Sequence, residues 1–299
     1  MSRRLNESEQ ERIRHTFLSA GINPVSTVSP HPSLEKENKL VALHNECFYN
    51  HSSSLLEAIK SHLASQDGLA EINCQDSIGL SPLHLLCGFN GSPYFIEAMQ
   101  LLIEHGADVK AVDLRGYTPF HYMCFNAVLA ADIQLKGLAI LVQHGADINA
   151  KEYRVKASPL HLICNYNTSK KLDSIVSFFV LNKASLHART FENRTALHCL
   201  CRTHNNEHLL DVVSILIRHG ADVNVRDNQN LTALHEVCFF YQLPNLKEVI
   251  DQLLGTKATC INYTSMHKRS ALHLIGIHYH LDNLPELLEC MIGKHGRPF

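Results

Sequence analysis

Six histidines are each followed, three residues later, by a cysteine: His44 with Cys47, His84 with Cys87, His121 with Cys124, His161 with Cys164, His198 with Cys201 and His235 with Cys238. On a helix that spacing puts both side chains on one face. Imidazole beside thiolate is the chemistry of a zinc ligand pair or of an activated cysteine nucleophile. Zinc needs four ligands, whereas successive pairs lie 37 to 40 residues apart. A nucleophile needs one pair distinguished from its siblings, and these six are alike. Nucleophile elbows, phosphate-binding loops and dinucleotide-binding glycine patterns are also absent from the sequence. The sequence therefore predicts no catalytic residue, no metal site and no cofactor. The cysteines read instead as small buried hydrophobes, their thiols reduced, because they recur at one structural position and not at the spacings of a disulfide framework.

What positions these pairs is a repeat. SPLHLLC at 81–87, TPFHYMC at 118–124, SPLHLIC at 158–164, TALHCLC at 195–201 and TALHEVC at 232–238 are one motif, with weaker copies VALHNEC at 41–47 and SALHLIG at 270–276. A second signature keeps step with it: HGADVKA from His105, HGADINA from His144, HGADVNV from His219 and NKASLHA from Asn182. Between the two lies an apolar run at helical period, as in FIEAMQLLIEHG. Ser or Thr at 81, 118, 158, 195, 232 and 270 can cap a first helix, and Pro82, Pro119 and Pro159 fit its first position. Gly106, Gly145 and Gly220 end a second helix by taking the left-handed conformation.

These motifs resemble ankyrin repeats over about residues 38 to 296. The resemblance implies an all-α ankyrin-repeat solenoid of stacked helix-turn-helix units with β-hairpin-like turns, since one unit cannot bury its own apolar face. The boundaries read as an N-terminal cap and linker at 1–37, then repeats at 38–72, 78–111, 115–150, 155–188, 192–225, 229–262 and 267–299, the last incomplete. The extra length over a 33-residue unit is placed between the two helices. The family's histidine hydrogen-bonds within and between repeats, which accounts for the His-x-x-Cys pairs. Lys156 and Lys268 stand where the family prefers glycine in the turn, so those two turns are expected to be distorted.

The resemblance implies binding of a protein partner on the concave face, by residues free of the packing that fixes the rest. These lie at turn tips and first-helix ends: Arg115, Tyr117, Phe125, Asn126, Arg154, Tyr166, Phe191, Arg194, Arg202, Asn228, Gln229 and Phe239. Aromatic and arginine side chains dominate interface hot spots. For Phe89, Phe125, Tyr166 and Phe239 the alternative is packing beneath the interhelix connectors. In the turn segments Lys110, Arg115, Lys151, Arg154, Lys156, Arg189, Arg194, Arg226, Lys268 and Arg269 outnumber Asp113, Glu152, Glu192 and Asp227, which points to an acidic or phosphorylated segment as ligand.

Overall, 27 Lys+Arg against 29 Asp+Glu give a net charge of -2, which announces neither nucleic acid nor membrane. No stretch approaches the roughly 20 apolar residues of a membrane span, and no small-molecule substrate is evident. The chain reads as soluble and intracellular, cytoplasmic or nuclear, and non-catalytic. Alternatives are an adaptor for a larger assembly such as ubiquitin ligation, with a docking element sought after Leu281; a host-directed microbial or viral effector; and a truncated portion of a larger enzyme.

Overall fold

A hydroxyl residue followed by Pro or Ala begins every first helix after the earliest, because the hydroxyl satisfies an orphan amide and the next residue gives up little there. The computed structural model describes residues 42–167, 169–203, 208–240, 245–255, 261–278, 289 and 291. The first helices are α1 (Ala42–Tyr49), α4 (Pro82–Phe89), α6 (Pro119–Phe125), α8 (Pro159–Tyr166), α10 (Ala196–Thr203), α12 (Ala233–Phe240) and α14 (Ala271–His278). The second helices are α5 (Phe95–Glu104), α7 (Ala131–Gln143), α9 (Leu172–Leu181), α11 (Leu209–Arg218) and α13 (Leu246–Leu254). In the earliest repeat the second helix is split into α2 (Leu55–Leu63) and α3 (Gln66–Glu71). The fold is all-α, and among the described residues the only β feature is an isolated bridge between Thr264 and Ser270.

The chain divides into two compact units, Met1–Tyr153 and Arg154–Phe299. Within each, first helix packs on first helix and second on second: α1 on α4 and α4 on α6 in one unit, α8 on α10 and α10 on α12 in the other. Leu83, Leu86, Phe95, Met99, Phe120 and Leu138 are core residues of the first unit; Leu160, Ile163, Ile175, Val213, Val237 and Ile250 serve the second. At roughly 1.5–3 kcal/mol for each buried aliphatic side chain, nearest-neighbour stacking is the main stabilising term.

The connectors and turns depart from expectation in two places. Part of the extra length of the third repeat lies inside its second helix: α7 has thirteen residues where α5 has ten. Gln134 on α7 is buried, and its amide donates to the Met123 carbonyl at 2.8 Å, satisfying the end of α6. Nor are the Lys156 and Lys268 turns distorted. Both lysines take the left-handed conformation, φ 59° and 56°, as do Asn193 and Asn230 at φ 64° and 59°. An exposed linear side chain pays the steric cost of that region but no burial cost on top, so the turn keeps its shape. Lys183 does the same at the end of α9, in the place of Gly106, Gly145 and Gly220. The N-terminal cap and linker at 1–37, and the chain after His278 other than residues 289 and 291, lie outside the described residues.

Candidate functional site

The turn tips at Asp76, Asp113, Thr190, Asp227 and Ser265 are closed by a carboxylate or hydroxyl that accepts backbone amides. Asp113 Oδ1 takes the amides of Arg115 and Tyr117 at 2.9 and 2.8 Å, and Asp227 Oδ1 those of Gln229 and Leu231 at 2.8 and 2.9 Å. Successive tips are joined by single backbone bonds, Leu114 N–H to Ile78 in the first unit, and Phe191 N–H to Val155 and Asn228 N–H to Glu192 in the second. Asp113 and Asp227 are withdrawn from the surface by this role and Glu152 is buried as well, and burial raises the Asp113 carboxyl against its three hydrogen bonds. Of the four acids in these turn segments only Glu192 is exposed, while Arg115, Arg154, Lys156, Arg189, Arg226, Lys268 and Arg269 all are. The tips of each unit thus present more cations than acids to solvent.

The histidines are committed to structure at both ring nitrogens. His84 Nδ1 lies 3.1 Å from the Ser81 amide and 2.8 Å from its hydroxyl, and Nε2 is 3.1 Å from the Tyr117 carbonyl of the next repeat. An amide can only donate and a carbonyl only accept, so the ring is neutral with its proton on Nε2. Thr118 with His121, Ser158 with His161, Thr195 with His198 and Thr232 with His235 repeat the arrangement. His44 keeps its Nε2 bond to Leu80, but its buried Nδ1 has no partner, Val41 standing where the others have a hydroxyl. Burial lowers His84 to about 4 and also lowers His198 and His235. Burial likewise pushes the thiols of Cys87, Cys124, Cys164 and Cys201 well up, which disfavours the thiolate that ligation or attack would need.

A second ladder, missed in the sequence, runs through the connectors. Asn90 Nδ2 donates to the carbonyls of Cys47 and Asn50 at 2.9 and 3.0 Å, and Asn126 Nδ2 to those of Cys87 and Asn90 at 3.0 and 3.1 Å. Each side-chain oxygen accepts the amide two residues on, as Asn50, Asn90 and Asn167 do from Ser52, Ser92 and Ser169. The signal was the recurring Asn-x-Ser of residues 50–52, 90–92 and 167–169.

The sequence-predicted surface residues therefore separate. In the first unit Arg115 is exposed, but Tyr117 at 5%, Phe125 and Asn126 are buried. Tyr117 and Phe125 join Phe89 and Tyr122 in a layer of edge-on and tilted rings, with Phe89–Tyr122 and Tyr117–Phe125 centroids 6.1 and 5.8 Å apart. Tyr122 donates its hydroxyl to Asp113 Oδ2 at 2.8 Å. Tyr117 and Asn126, expected at the surface, are instead buried, and Phe125 takes the packing alternative, because the rings pack on one another and the Asn126 amide is bonded to the preceding repeat.

In the second unit Arg154, Phe191, Asn228, Gln229 and Phe239 are exposed, and Tyr166 and Arg202 are half-buried. Arg194 is mostly enclosed, its guanidinium paired with Glu192, with Asp227 Oδ2 at 3.2 Å and with Glu236 Oε1 at 3.9 Å. Arg202 lies 3.6 Å from the same Glu236 oxygen and 5.0 Å over the Phe240 ring. Glu236, Phe240 and the exposed Met266 complete this edge. Glu236 was legible as the one acid following a motif histidine.

No group of three or more His, Cys, Asp or Glu able to hold a metal occurs among the described residues, and no described helix is long and apolar enough to cross a membrane. The family described as Ankyrin repeats (3 copies) matches residues 43–152 and 160–265. Among solved structures, the crystal structure of the human ASB11 ankyrin repeat domain is similar at a TM-score of 0.63 and 20% identity, over 86% of this chain and 99% of that one. No curated protein matches the chain.

Proposed function

Because this chain belongs to the ankyrin-repeat family, whose repeats are protein-interaction modules, we propose that it is a non-catalytic scaffold that binds an acidic or phosphorylated protein segment on the edge formed by the turn tips and first-helix ends of residues 154–278. The observation that carries this reading is the combination at those tips: Phe191 is 74% exposed and Met266 63%, amid Arg154, Lys156, Arg189, Arg226, Lys268 and Arg269. Apolar side chains set out in solvent among cations fit an anionic ligand with hydrophobic anchors. The site residues of this proposal are Arg154, Tyr166, Phe191, Arg202, Asn228, Gln229 and Phe239, with Arg115 on the first unit's own tip.

Affinity capture from cell extract with wild type and with the pair Phe191→Ala, Arg154→Glu tests it. Both positions are exposed, so the variant keeps its far-UV signal and melting curve. Specific partners are expected to be lost from the variant; identical recovery by a folded variant overturns the assignment of this edge.

A further inference from the structure

Within the second unit the ion cluster contains one carboxylate that is poorly served. Glu236, on α12, is 1% exposed, and neither of its side-chain oxygens has a hydrogen-bond partner. Its cations stand at 3.6 Å (Arg202) and 3.9 Å (Arg194), beyond the 2.7–2.9 Å of a good charge-assisted bond. Arg194 is already engaged by Glu192 and Asp227. Arg202 is different. Its side chain is 38% exposed, its guanidinium is held over the Phe240 ring, and among the described residues its partners are Phe240 and Glu236. A guanidinium has five N–H donors in a fixed fork; one long contact to Glu236 leaves most of them to solvent. Phe239, 38% exposed, lies next to Phe240 in sequence at the end of α12.

We propose that Arg202 is the anchor for a carboxylate side chain of the acidic partner, and that Glu236 is a built-in competitor for that guanidinium. This rests on the protein-binding reading above. A partner carboxylate reaching Arg202 from solvent can take the paired N–H donors that Glu236, fixed on its helix, meets only at long range. The ring of Phe240 keeps the guanidinium plane in place for that contact, and Phe239 offers apolar surface to a neighbouring side chain of the ligand. The positive, acid-depleted turn edge supplies the long-range attraction that brings an anionic segment to this point. The internal carboxylate lowers the affinity for any acidic ligand and discriminates against ligands that bring no carboxylate of their own.

The test uses the full chain and a random peptide library displayed on phage, followed by anisotropy titration of a selected peptide. Selected peptides are expected to carry Asp or Glu next to an apolar residue. Glu236→Gln, which removes the competitor's charge, tightens binding by about threefold or more, and Arg202→Ala in the Glu236→Gln background weakens it by about tenfold or more. The double variant is chosen because removing Arg202 alone strands a buried charge and can unfold the protein. Changing the peptide's acid to Gln weakens binding to wild type but not to the double variant. Peptides without acids, a double variant that binds like Glu236→Gln, or a Glu236→Gln that binds more weakly than wild type each overturn the proposal. If those peptides respond to Phe191→Ala and not to Arg202, the binding edge stands and the anchor falls; if no peptide is retained, both fall.

Discussion

Tyr117 in the first unit and Arg194 in the second each stand immediately before a capping threonine; Phe125 and Arg202 each follow a buried cysteine; Tyr122 and Glu236 each follow a motif histidine. At these three positions the third repeat has aromatic rings, whereas Arg194 and Arg202 of the fifth repeat and Glu236 of the sixth are charged. The turn aspartates are equivalent too, yet Asp113 accepts a tyrosine hydroxyl where Asp227 accepts a guanidinium. One backbone thus accepts two fillings. The rings close over one another and are removed from water, whereas the ionic filling keeps Arg202 and Phe239 at the surface. The first unit buries all three of these positions, and the second leaves one of them, Arg202, partly open to solvent.

Truncating the aromatic layer is the harshest way to press that contrast. Phe125→Ala is expected to cost about 3–5 kcal/mol, read as a lowered denaturant midpoint, with hydrogen exchange localising the loss to the first unit. A loss below about 1 kcal/mol would show that the rings are not a packed layer, and the contrast between the units would collapse.

Acid should act on both units alike, because they share the histidine ladder. Unfolded imidazole takes up its proton near 6.5, and folded His84 near 4. Between these values the unfolded chain binds more protons, so stability falls as pH drops through that window and levels off below about 4. For His84 the loss is about 3 kcal/mol. His198 and His235, lowered in the same direction, carry the effect into the second unit. Urea melts at successive pH values measure it; stability flat between pH 7 and 4.5 would refute the neutral ladder.

The smallest effect sharpens the comparison at a single atom. Tyr122→Phe keeps the ring and deletes the hydroxyl that reaches Asp113, for an expected loss of about 1 kcal/mol. A neutral outcome would mean that the first unit's layer is held by rings alone, with no counterpart to the bond between Arg194 and Asp227.

The stacked repeats were legible because their determinants are local: Ser or Thr before Pro or Ala, glycine at the helix end, and an apolar face between. Turn shape was less so. Lysine at 156, 183 and 268 adopts a conformation that its residue type argues against: bonds joining one tip to the next hold the turns of Lys156 and Lys268, and the closing bonds of α9 hold Lys183. The split among the aromatic and arginine candidates was not legible either. Whether Phe125 is buried and Phe239 exposed depends on the neighbouring repeat, and both read as variable residues at a helix end. The asparagine ladder escaped because its register slips: Asn50, Asn90 and Asn167 lie three residues after the cysteine, and Asn126 two.

The direction of the two ladders bears on how the chain emerges during synthesis. His84, His161 and His198 each reach a carbonyl 33 residues ahead, whereas Asn90 and Asn126 reach back into the repeat already made. A newly made repeat can therefore fasten its connector to its predecessor at once, but its histidine must wait for the turn still to be translated. At about 5–20 residues per second that interval is about 2–7 seconds. For that time the nascent end carries one repeat whose imidazole is not yet covered by its successor, so burial has not yet lowered it and the acid sensitivity of the finished ladder trails one repeat behind the growing tip.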